Sequence, residues 1–245
     1  MTPTERRILL RCAELSAQVY ERAPGHSGCK LVESGAAQMI WTEDAKHIYA
    51  CVRGTQVTEN WSWPDIAANF NMGLAPWWRN AIAHAHSGYQ DQAYALTSAV
   101  AHLVHGARAR KKDLILTGHS MGGAVAQLLG ARFNAIPFVR VVSFGAPRVG
   151  DSIMMLMQCP IQHSIVFEND IAPKHPAFLH GYRSPATEWH LHADGVLHVR
   201  TPKWYHKMIV PLTPWGVTAG FLDHRVQNYV DALRLTQQGG STPSD

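Results

Sequence analysis

The chain has few charged residues, few cysteines and no long hydrophobic run. Only 16% of its 245 residues are charged, whereas about 25% is typical of a globular domain. The net charge of +4 is too small to indicate a general affinity for nucleic acid. No stretch reaches the roughly 18 apolar residues that a transmembrane helix needs. The sequence therefore favours a globular domain with neither a nucleic-acid partner nor a transmembrane segment.

The N-terminal residues lack the apolar core of a secretory signal peptide. Charged residues begin at Glu5, and an amphipathic pattern follows Thr4, a residue type that can cap a helix. The sequence predicts a soluble chain that is cytoplasmic as synthesised, with export by another route left open.

The four cysteines and fifteen histidines show no spacing typical of a metal site. A disulfide between Cys12 and Cys29 is left open, since nothing in the sequence requires it. Two histidine pairs have i,i+2 spacing but lack a supporting cysteine or an HExxH motif, namely His84 with His86 and His190 with His192. We therefore predict no metal ion and no cofactor.

A serine flanked by glycines joins an apolar stretch to a helical pattern between residues 113 and 126. Residues 114–116 are Leu-Ile-Leu, a run typical of a strand buried on both faces. Apolar residues recur at helical spacing after Ser120, and Gly118 and Gly122 leave room for close packing. This pattern, G-x-S-x-G, predicts a nucleophile elbow. A serine that only caps a helix in a glycine-rich turn is the alternative.

Strands and helices alternate from residue 113 to 167. This alternation predicts an α/β fold with a mostly parallel central sheet flanked by helices, and a site at the carboxyl ends of the strands. Strands are predicted at residues 38–42, 47–52, 114–116, 139–144, 163–167, 188–191 and 196–201, and helices near residues 86–107, 149–157 and 223–235. We expect a single domain over residues 1–236 and a disordered tail over residues 237–245.

A catalytic serine needs a histidine to accept its proton and an acid to orient that histidine. On a hydrolase sheet the acid and then the histidine follow the serine in the chain. Asp170 comes just after a predicted strand, and His224 comes late, so order and placement favour Ser120, Asp170 and His224. The weaker candidates are Asp151, Asp194 and Asp223 for the acid and His119 for the histidine.

An oxyanion hole needs preorganised hydrogen-bond donors near the serine. The backbone N–H of Met121, directly after the serine, is one candidate. The strand over residues 47–52 runs into Arg53, Gly54 and Thr55, and Thr55 offers both an N–H and a hydroxyl. A glycine turn without a functional role is the alternative.

A series of short motifs runs in order from about residue 47 to 230. They are Val52-Arg53-Gly54-Thr55, Asn60-Trp61 with Asp65, His86-Ser87-Gly88-Tyr89, Thr117-Gly118-His119-Ser120-Met121-Gly122-Gly123, Phe144-Gly145-Ala146-Pro147-Arg148-Val149-Gly150, Asn169-Asp170 with Pro173, Glu188-Trp189, and Asp223-His224 with Tyr229. In this order they resemble the class 3 (fungal-type) lipases of the α/β-hydrolase fold. The resemblance implies that Ser120 is the nucleophile, Asp170 the acid and His224 the base, with Thr55 and Met121 at the oxyanion hole.

The segment Val57–Trp78 is rich in tryptophan and follows the oxyanion strand. It has only two charged residues, Glu59 and Asp65, and long loops at strand ends often act as lids. The resemblance implies a mobile lid here, although an extra residue and a proline interrupt the family pattern between Asn60 and Asp65. We expect Trp61 and Trp63 to contact substrate or a lipid surface. The alternative is that these aromatic residues form fixed core.

The resemblance implies a lipase or carboxylesterase that hydrolyses acylglycerols through an acyl-enzyme, with transient contact to a lipid interface. One alternative is a phospholipase A-type activity with the same triad. A less favoured alternative is a non-catalytic binding protein on a hydrolase scaffold, since a fold alone does not determine function.

Overall fold

The computed structural model describes residues 1–21, 28–55, 73–78, 80–185, 187–200 and 220–238. The strands are β1 (Lys30–Ser34), β2 (Ala37–Glu43), β3 (His47–Val52), β4 (Leu74–Trp77), β5 (Asn80–His86), β6 (Asp113–His119), β7 (Val139–Phe144), β8 (Gln162–Phe167), β9 (Glu188–Leu191) and β10 (Leu197–Arg200). The helices are α1 (Pro3–Gln18), α2 (Ser87–Arg110), α3 (Met121–Arg132), α4 (Ser152–Leu156) and α5 (Val226–Gln238).

Eight strands form one sheet in the order β1-β2-β3-β6-β7-β8-β9-β10, and β4 and β5 form a separate hairpin. The central strands β3, β6, β7, β8 and β9 pair in parallel, whereas the outer pairs β1–β2, β2–β3 and β9–β10 are antiparallel. The predicted mostly parallel α/β sheet is confirmed. Its parallel strands end along one edge, which places the loops after β3, β6 and β8 together.

Alternate side chains of the central strands pack into two apolar layers, one on each face of the sheet. Along β6, Leu114 and Leu116 pack with residues of α2 and α3, while Ile115 packs with residues of α1 and α5. All three side chains are fully buried. The sheet is thus covered on both faces, which explains why the central strands read as continuous apolar runs.

Helix α1 begins two residues earlier than the sequence pattern predicts. Thr2, rather than Thr4, is the N-cap: its hydroxyl accepts a hydrogen bond from Glu5 N at 3.2 Å, and its own N–H donates to Glu5 Oε2 at 2.6 Å. Glu5 lies three residues after Thr2, so the two residues form a capping box that Thr4 cannot form.

The chain forms strands in two places where the sequence analysis predicts none. One is β1, a short polar edge strand, and the other is the β4–β5 hairpin. Within this hairpin Trp77 is only 1% exposed and packs against Trp78 with ring centroids 4.5 Å apart. The predicted cover Val57–Trp78 is therefore too long, because its last residues belong to a strand and to the core. Residues 56–72, which include Trp61 and Trp63, lie outside the described residues.

The C-terminal helix also differs from its prediction. The expected helix at residues 223–235 is found as Val226–Gln238, so it runs past the predicted domain end at residue 236. Residues 239–245, most of the predicted tail, lie outside the described residues. Where the structure describes helices, none is long and apolar enough to cross a membrane. All four cysteines are buried free thiols, so the disulfide left open between Cys12 and Cys29 is not formed.

Candidate active site

Ser120 lies at the tight junction between β6 and α3. Its backbone has φ 56° and ψ −132°, in a region that residues with a side chain rarely adopt. Its N–H donates to Phe144 O of the neighbouring strand β7 at 2.9 Å, which ties the junction to the sheet. The strained backbone, held by the sheet on one side and the helix on the other, is the geometry expected of a nucleophile elbow.

The glycines around Ser120 allow backbone segments to approach more closely than any side chain would permit. A Cβ atom at Gly118 would lie 2.5 Å from the carbonyl carbon of Gly122. A Cβ atom at Gly122 would collide with the carbonyl oxygen of Val52 at the end of β3. The motif glycines are therefore required by packing, and they bring the end of β3 against the start of α3.

His224 is hydrogen bonded to Ser120. The distance from His224 Nε2 to Ser120 Oγ is 2.9 Å, and both residues are 6% exposed. His224 follows a helical turn at residues 220–223 and precedes α5. Its other ring nitrogen, Nδ1, lies next to a carboxylate, so the hydrogen-bond network favours the tautomer in which Nδ1 carries the proton and Nε2 accepts from the serine hydroxyl.

That carboxylate belongs to Asp170, which is completely buried three residues after β8. His224 Nδ1 lies 3.0 Å from Asp170 Oδ1 and 2.9 Å from Oδ2. The backbone N–H of Ala172 donates to Oδ1 at 2.8 Å. A buried carboxylate with several donors is held in one orientation, and its negative charge is compensated.

Tyr229 on α5 supplies a further donor to this carboxylate. Its hydroxyl donates to Asp170 Oδ2 at 2.5 Å and accepts the N–H of Phe167 at 3.0 Å. Burial, and secondarily the charge of Asp170, hold the pKa of Tyr229 well above its usual value. The hydroxyl therefore keeps its proton and can donate. The sequence motif includes Tyr229, but only the fold reveals this contact.

Gly145, after β7, leaves the space in which the acid and the histidine meet. Its φ is +53°, and a Cβ atom there would lie 2.9 Å from the Tyr229 hydroxyl and 3.1 Å from His224 Nδ1. A side chain at this position would displace one of these groups. Gly145 belongs to one of the motifs that resemble the family, but the sequence alone does not indicate this role.

His119, inside the elbow, is directed to groups other than the serine hydroxyl. Its Nε2 lies 2.7 Å from the backbone oxygen of His224, and its Nδ1 lies 3.3 Å from the hydroxyl of Tyr20. Burial, and secondarily the proximity of His224, hold the pKa of His119 well below its usual value. A neutral His119 that donates from Nε2 fixes the backbone of His224, a positioning contact that the sequence analysis missed.

The weaker acid candidates have local structural roles. Asp151 caps α4 by accepting from Met154 N at 2.8 Å, and Asp194 accepts from Val196 N at 2.9 Å within a turn. Asp223 accepts from Asn169 N at 3.1 Å and so supports the loop that bears Asp170. Among the described contacts of these four aspartates, the hydrogen bond to His224 Nδ1 belongs to Asp170. This contact distinguishes Asp170 from Asp151, Asp194 and Asp223.

Thr55 and Met121 lie side by side next to the elbow. Thr55 Oγ1 is 3.4 Å from Met121 Sδ. A Cβ atom at Gly54 would lie 2.7 Å from the carbonyl oxygen of His119, so the loop after β3 runs directly against the elbow. Met121 is the first residue of α3, where backbone N–H groups lack a partner within the helix. Trp61 and Trp63, the predicted lid residues, lie outside the described residues.

The chemical capacity of this arrangement follows from its order. The serine hydroxyl is hydrogen bonded to an imidazole, and the imidazole is hydrogen bonded to a buried carboxylate, which is the geometry of an activated nucleophile.

A second group of polar side chains, Glu168 with His190 and His192, lies near the same end of the sheet with potential metal-ligating atoms within 4.8 Å of one another.

The sequence of the chain matches a known family and several known proteins. The lipase (class 3) family matches residues 49–180, more than half of the chain. A secreted mono- and diacylglycerol lipase of Fusarium solani is 28% identical over 167 residues, which is 65% of this chain and 48% of the relative. A lipase of Caenorhabditis elegans is 32% identical over 124 residues, 45% of this chain and 34% of the relative. The chain therefore spans about half or less of these relatives.

Solved structures show the same fold. The triacylglyceride lipase of Rhizomucor miehei superposes with a TM-score of 0.73 at 18% identity, covering 95% of this chain and 98% of that one. A lipase of Rhizopus microsporus superposes with a TM-score of 0.69 at 19% identity, covering 91% of this chain and 87% of that one. With its α/β-hydrolase fold and the family match across the elbow, the chain belongs to the lipase (class 3) family.

Proposed function

We propose that this protein is a serine carboxylic-ester hydrolase that acts on acylglycerols. The observation that carries the proposal is the hydrogen-bonded series Ser120–His224–Asp170, with 2.9 Å at each of its two junctions. The same series on a strained elbow serves acyl transfer in hydrolases of this fold.

In the proposed mechanism Ser120 Oγ attacks the carbonyl carbon of the ester, and His224 Nε2 accepts the hydroxyl proton. Asp170 stabilises the imidazolium that forms, because its buried carboxylate already faces Nδ1. The protonated His224 then donates to the alkoxy oxygen of the leaving alcohol, and an acyl-enzyme forms on Ser120. Water enters, gives a proton to His224 and attacks the acyl carbonyl. The bond to Ser120 Oγ then breaks, His224 returns the proton to that oxygen, and the acid is released.

Charge develops on the carbonyl oxygen during both steps. We assign its stabilisation to the backbone N–H of Met121 and to Thr55, through its N–H or its hydroxyl. The contact between their side chains supports this assignment, because it makes the two residues neighbours. Donors fixed by α3 and by the loop after β3 need little reorganisation when the charge appears. No cofactor enters the mechanism.

The substrate class rests on the relatives. The Fusarium relative is named a mono- and diacylglycerol lipase, and the Rhizomucor structure is that of a triacylglyceride lipase. We propose acylglycerols as the substrates on this basis. A phospholipase A-type activity would use the same residues on a substrate with a charged headgroup, and it is an outcome of the substrate test below.

We further propose that the segment containing Trp61 and Trp63 covers the site and contacts a lipid interface. Ser120 and His224 are each only 6% exposed, which supports a cover over the site. A cover rich in tryptophan suits a boundary between lipid and water. Trp61→Ala and Trp63→Ala should reduce activity on emulsified esters more than on soluble short-chain esters. Equal loss on both, with a large drop in melting temperature, would contradict the proposal.

The substrate test measures hydrolysis of mono-, di- and triacylglycerols of several chain lengths and of phosphatidylcholine. We expect acylglycerol hydrolysis that Ser120→Ala reduces by several orders of magnitude. Faster hydrolysis of phosphatidylcholine than of any acylglycerol would favour the phospholipase alternative. No hydrolysis of any ester by the wild-type protein would contradict the proposal as a whole.

The cellular location is a separate question, because the Fusarium relative is named as secreted. The sequence-based expectation of a cytoplasmic protein is tested by fractionating the source cells and assaying esterase activity in each fraction.

A further inference from the structure

We propose that Glu168, His190 and His192 form a binding site for a divalent transition-metal ion of the Zn²⁺ type, separate from the catalytic residues. One potential ligand atom from each side chain lies within 4.8 Å of the other two. His190 is buried, and the side chains of His192 and Glu168 are 36% and 29% exposed. The group is therefore anchored in the fold and still accessible to an ion from solvent.

The register of the sheet brings these side chains together. Strands β8 and β9 are parallel, with Val166 opposite His190 and Phe167 opposite Leu191. The N–H of Glu168 donates to Leu191 O at 3.0 Å, which continues this pairing past the end of β8. His192 follows His190 by two residues and so lies on the same face, and Glu168 Oε1 lies 3.3 Å from His192 Nδ1.

A third histidine lies beside the first two. His198 on β10 is directly opposite His190 in the antiparallel β9–β10 pair. The ring centroids of His198 are 5.5 Å from His190 and 5.1 Å from His192. The face thus presents three imidazoles and one carboxylate, and the ligand atoms grouped within 4.8 Å of one another are those of Glu168, His190 and His192.

The donor set matches a borderline transition metal. Neutral imidazole nitrogens and a carboxylate oxygen suit Zn²⁺, which takes four ligands in a tetrahedron. Ligands at about 2.0–2.1 Å from the ion lie roughly 3.4 Å apart in a tetrahedron, so small side-chain rotations from the present spacing suffice. Ca²⁺ and Mg²⁺ prefer oxygen ligands and do not fit this set.

Hydrogen bonds prepare the carboxylate for this role. Glu168 Oε1 accepts from Ala193 N at 2.7 Å and lies 3.3 Å from His192 Nδ1. A carboxylate has about four lone-pair positions, so these contacts orient the group without saturating it. Glu168 also has a φ of +38°, a backbone conformation uncommon for a residue with a side chain.

The isolated spacing of His190 and His192 gave no reason to predict a metal site from the sequence. The carboxylate that completes the group is more than twenty residues away in the chain. It also lies two residues before Asp170, so a bound ion would connect the loop that bears the catalytic acid to β9. We therefore expect the ion to stabilise this end of the sheet.

The test uses the full chain after treatment with a chelator. Isothermal titration with ZnCl₂ should show one saturable high-affinity site per chain, and the melting temperature should rise with Zn²⁺ concentration. His192→Gln and Glu168→Gln should each weaken binding at least tenfold and reduce the rise in melting temperature. Both positions are partly exposed, so these variants should fold, and far-ultraviolet circular dichroism checks this.

His47→Gln is the matched control. His47 Nδ1 lies 3.2 Å from Asp44, so it is also a histidine paired with a carboxylate, but it is outside the group. This variant should bind Zn²⁺ like the wild type. Substitution with Co²⁺ should give the visible absorption of a tetrahedral site in the wild type and lose it in His192→Gln.

Absence of a saturable site would overturn the proposal. Equal affinity in the wild type and in folded His192→Gln and Glu168→Gln would also overturn it, because the ion would then bind elsewhere among the histidines. Since the readout is binding, neither result affects the proposed hydrolase activity.

Discussion

Two carboxylate–histidine pairs lie near the same end of the sheet, with their carboxylates only two residues apart in the chain. Asp170 and His224 are 0% and 7% exposed at the side chain and lie 2.9 Å apart. Glu168 and His192 are 29% and 36% exposed and lie 3.3 Å apart. The same two residue types thus occupy very different surroundings.

The difference shows how burial changes the use of a pair. Around Asp170, Tyr229 and Ala172 provide further donors, so the carboxylate has one orientation and its interaction with His224 is weakly screened. Glu168 and His192 are partly exposed, so water competes for the contact between them. An ion from solution can therefore replace this contact. The buried pair suits a histidine that repeatedly accepts and donates a proton in one geometry. The exposed pair suits the binding of a ligand from solution.

The largest expected effect comes from changing the buried acid. Asp170→Asn keeps the size of the side chain but presents an amide to His224 Nδ1, which favours the wrong tautomer. We expect kcat to fall by about 10⁴-fold, equivalent to about 5 kcal/mol of transition-state stabilisation. Steady-state hydrolysis of a soluble ester measures this, with Asp194→Asn as the control. The assignment is wrong if Asp170→Asn is active and a variant of Asp151, Asp194 or Asp223 is silent.

The next largest effect should come from Thr55, which we propose as a hydrogen-bond donor to the oxyanion. Thr55→Val preserves the backbone N–H and the shape of the side chain but removes the hydroxyl. Loss of one oxyanion donor typically reduces kcat by about 100- to 1000-fold. Kinetics on the same soluble ester measure the change, and an unchanged kcat would show that only backbone N–H groups bind the oxyanion.

A smaller effect should follow from removing the hydroxyl that holds the acid. Tyr229→Phe leaves the N–H of Phe167 without its acceptor and removes one donor from Asp170. A buried polar group left unsatisfied costs about 1–3 kcal/mol, so we expect a lower free energy of unfolding together with a reduced kcat and a similar KM. Urea denaturation and kinetics measure the two quantities. Wild-type values of both would show that this contact contributes little to the buried pair.

The smallest effect should come from the exposed pair when no metal ion is present. His192→Gln removes a partly solvated pair, and such pairs contribute about 0–1 kcal/mol. Urea denaturation in the presence of a chelator should therefore show little change in the free energy of unfolding. A loss of unfolding free energy as large as that expected for Tyr229→Phe would mean that the contact between Glu168 and His192 stabilises the fold as much as the hydrogen bonds of Tyr229 do.

The sequence was informative where local chemistry determines structure. The bounds of β3, β7 and β9 agree with their predictions, and the elbow follows from an apolar strand, a serine and glycines whose Cβ atoms would collide with backbone. These features depend on neighbouring residues in the chain. Their patterns can therefore be read without knowledge of the fold.

Other features depend on contacts between distant residues and could not be predicted in this way. Trp77 lies in a segment without a clear period, and its burial follows from packing against the core. The hydrogen bonds from Tyr229 to Asp170 and from His119 to the backbone of His224 join residues 59 and 105 positions apart. Glu168 joins the two histidines only because β8 and β9 are neighbours in the sheet.

The most direct test of the central claim is covalent labelling of the nucleophile. A fluorophosphonate reacts with a serine that an adjacent histidine activates. We predict that the wild-type protein incorporates one label per chain, that mass spectrometry of its peptides locates the label on Ser120, and that His224→Ala abolishes rapid labelling. Labelling of a different serine, or labelling of Ser120 at the same rate in His224→Ala, would contradict the account.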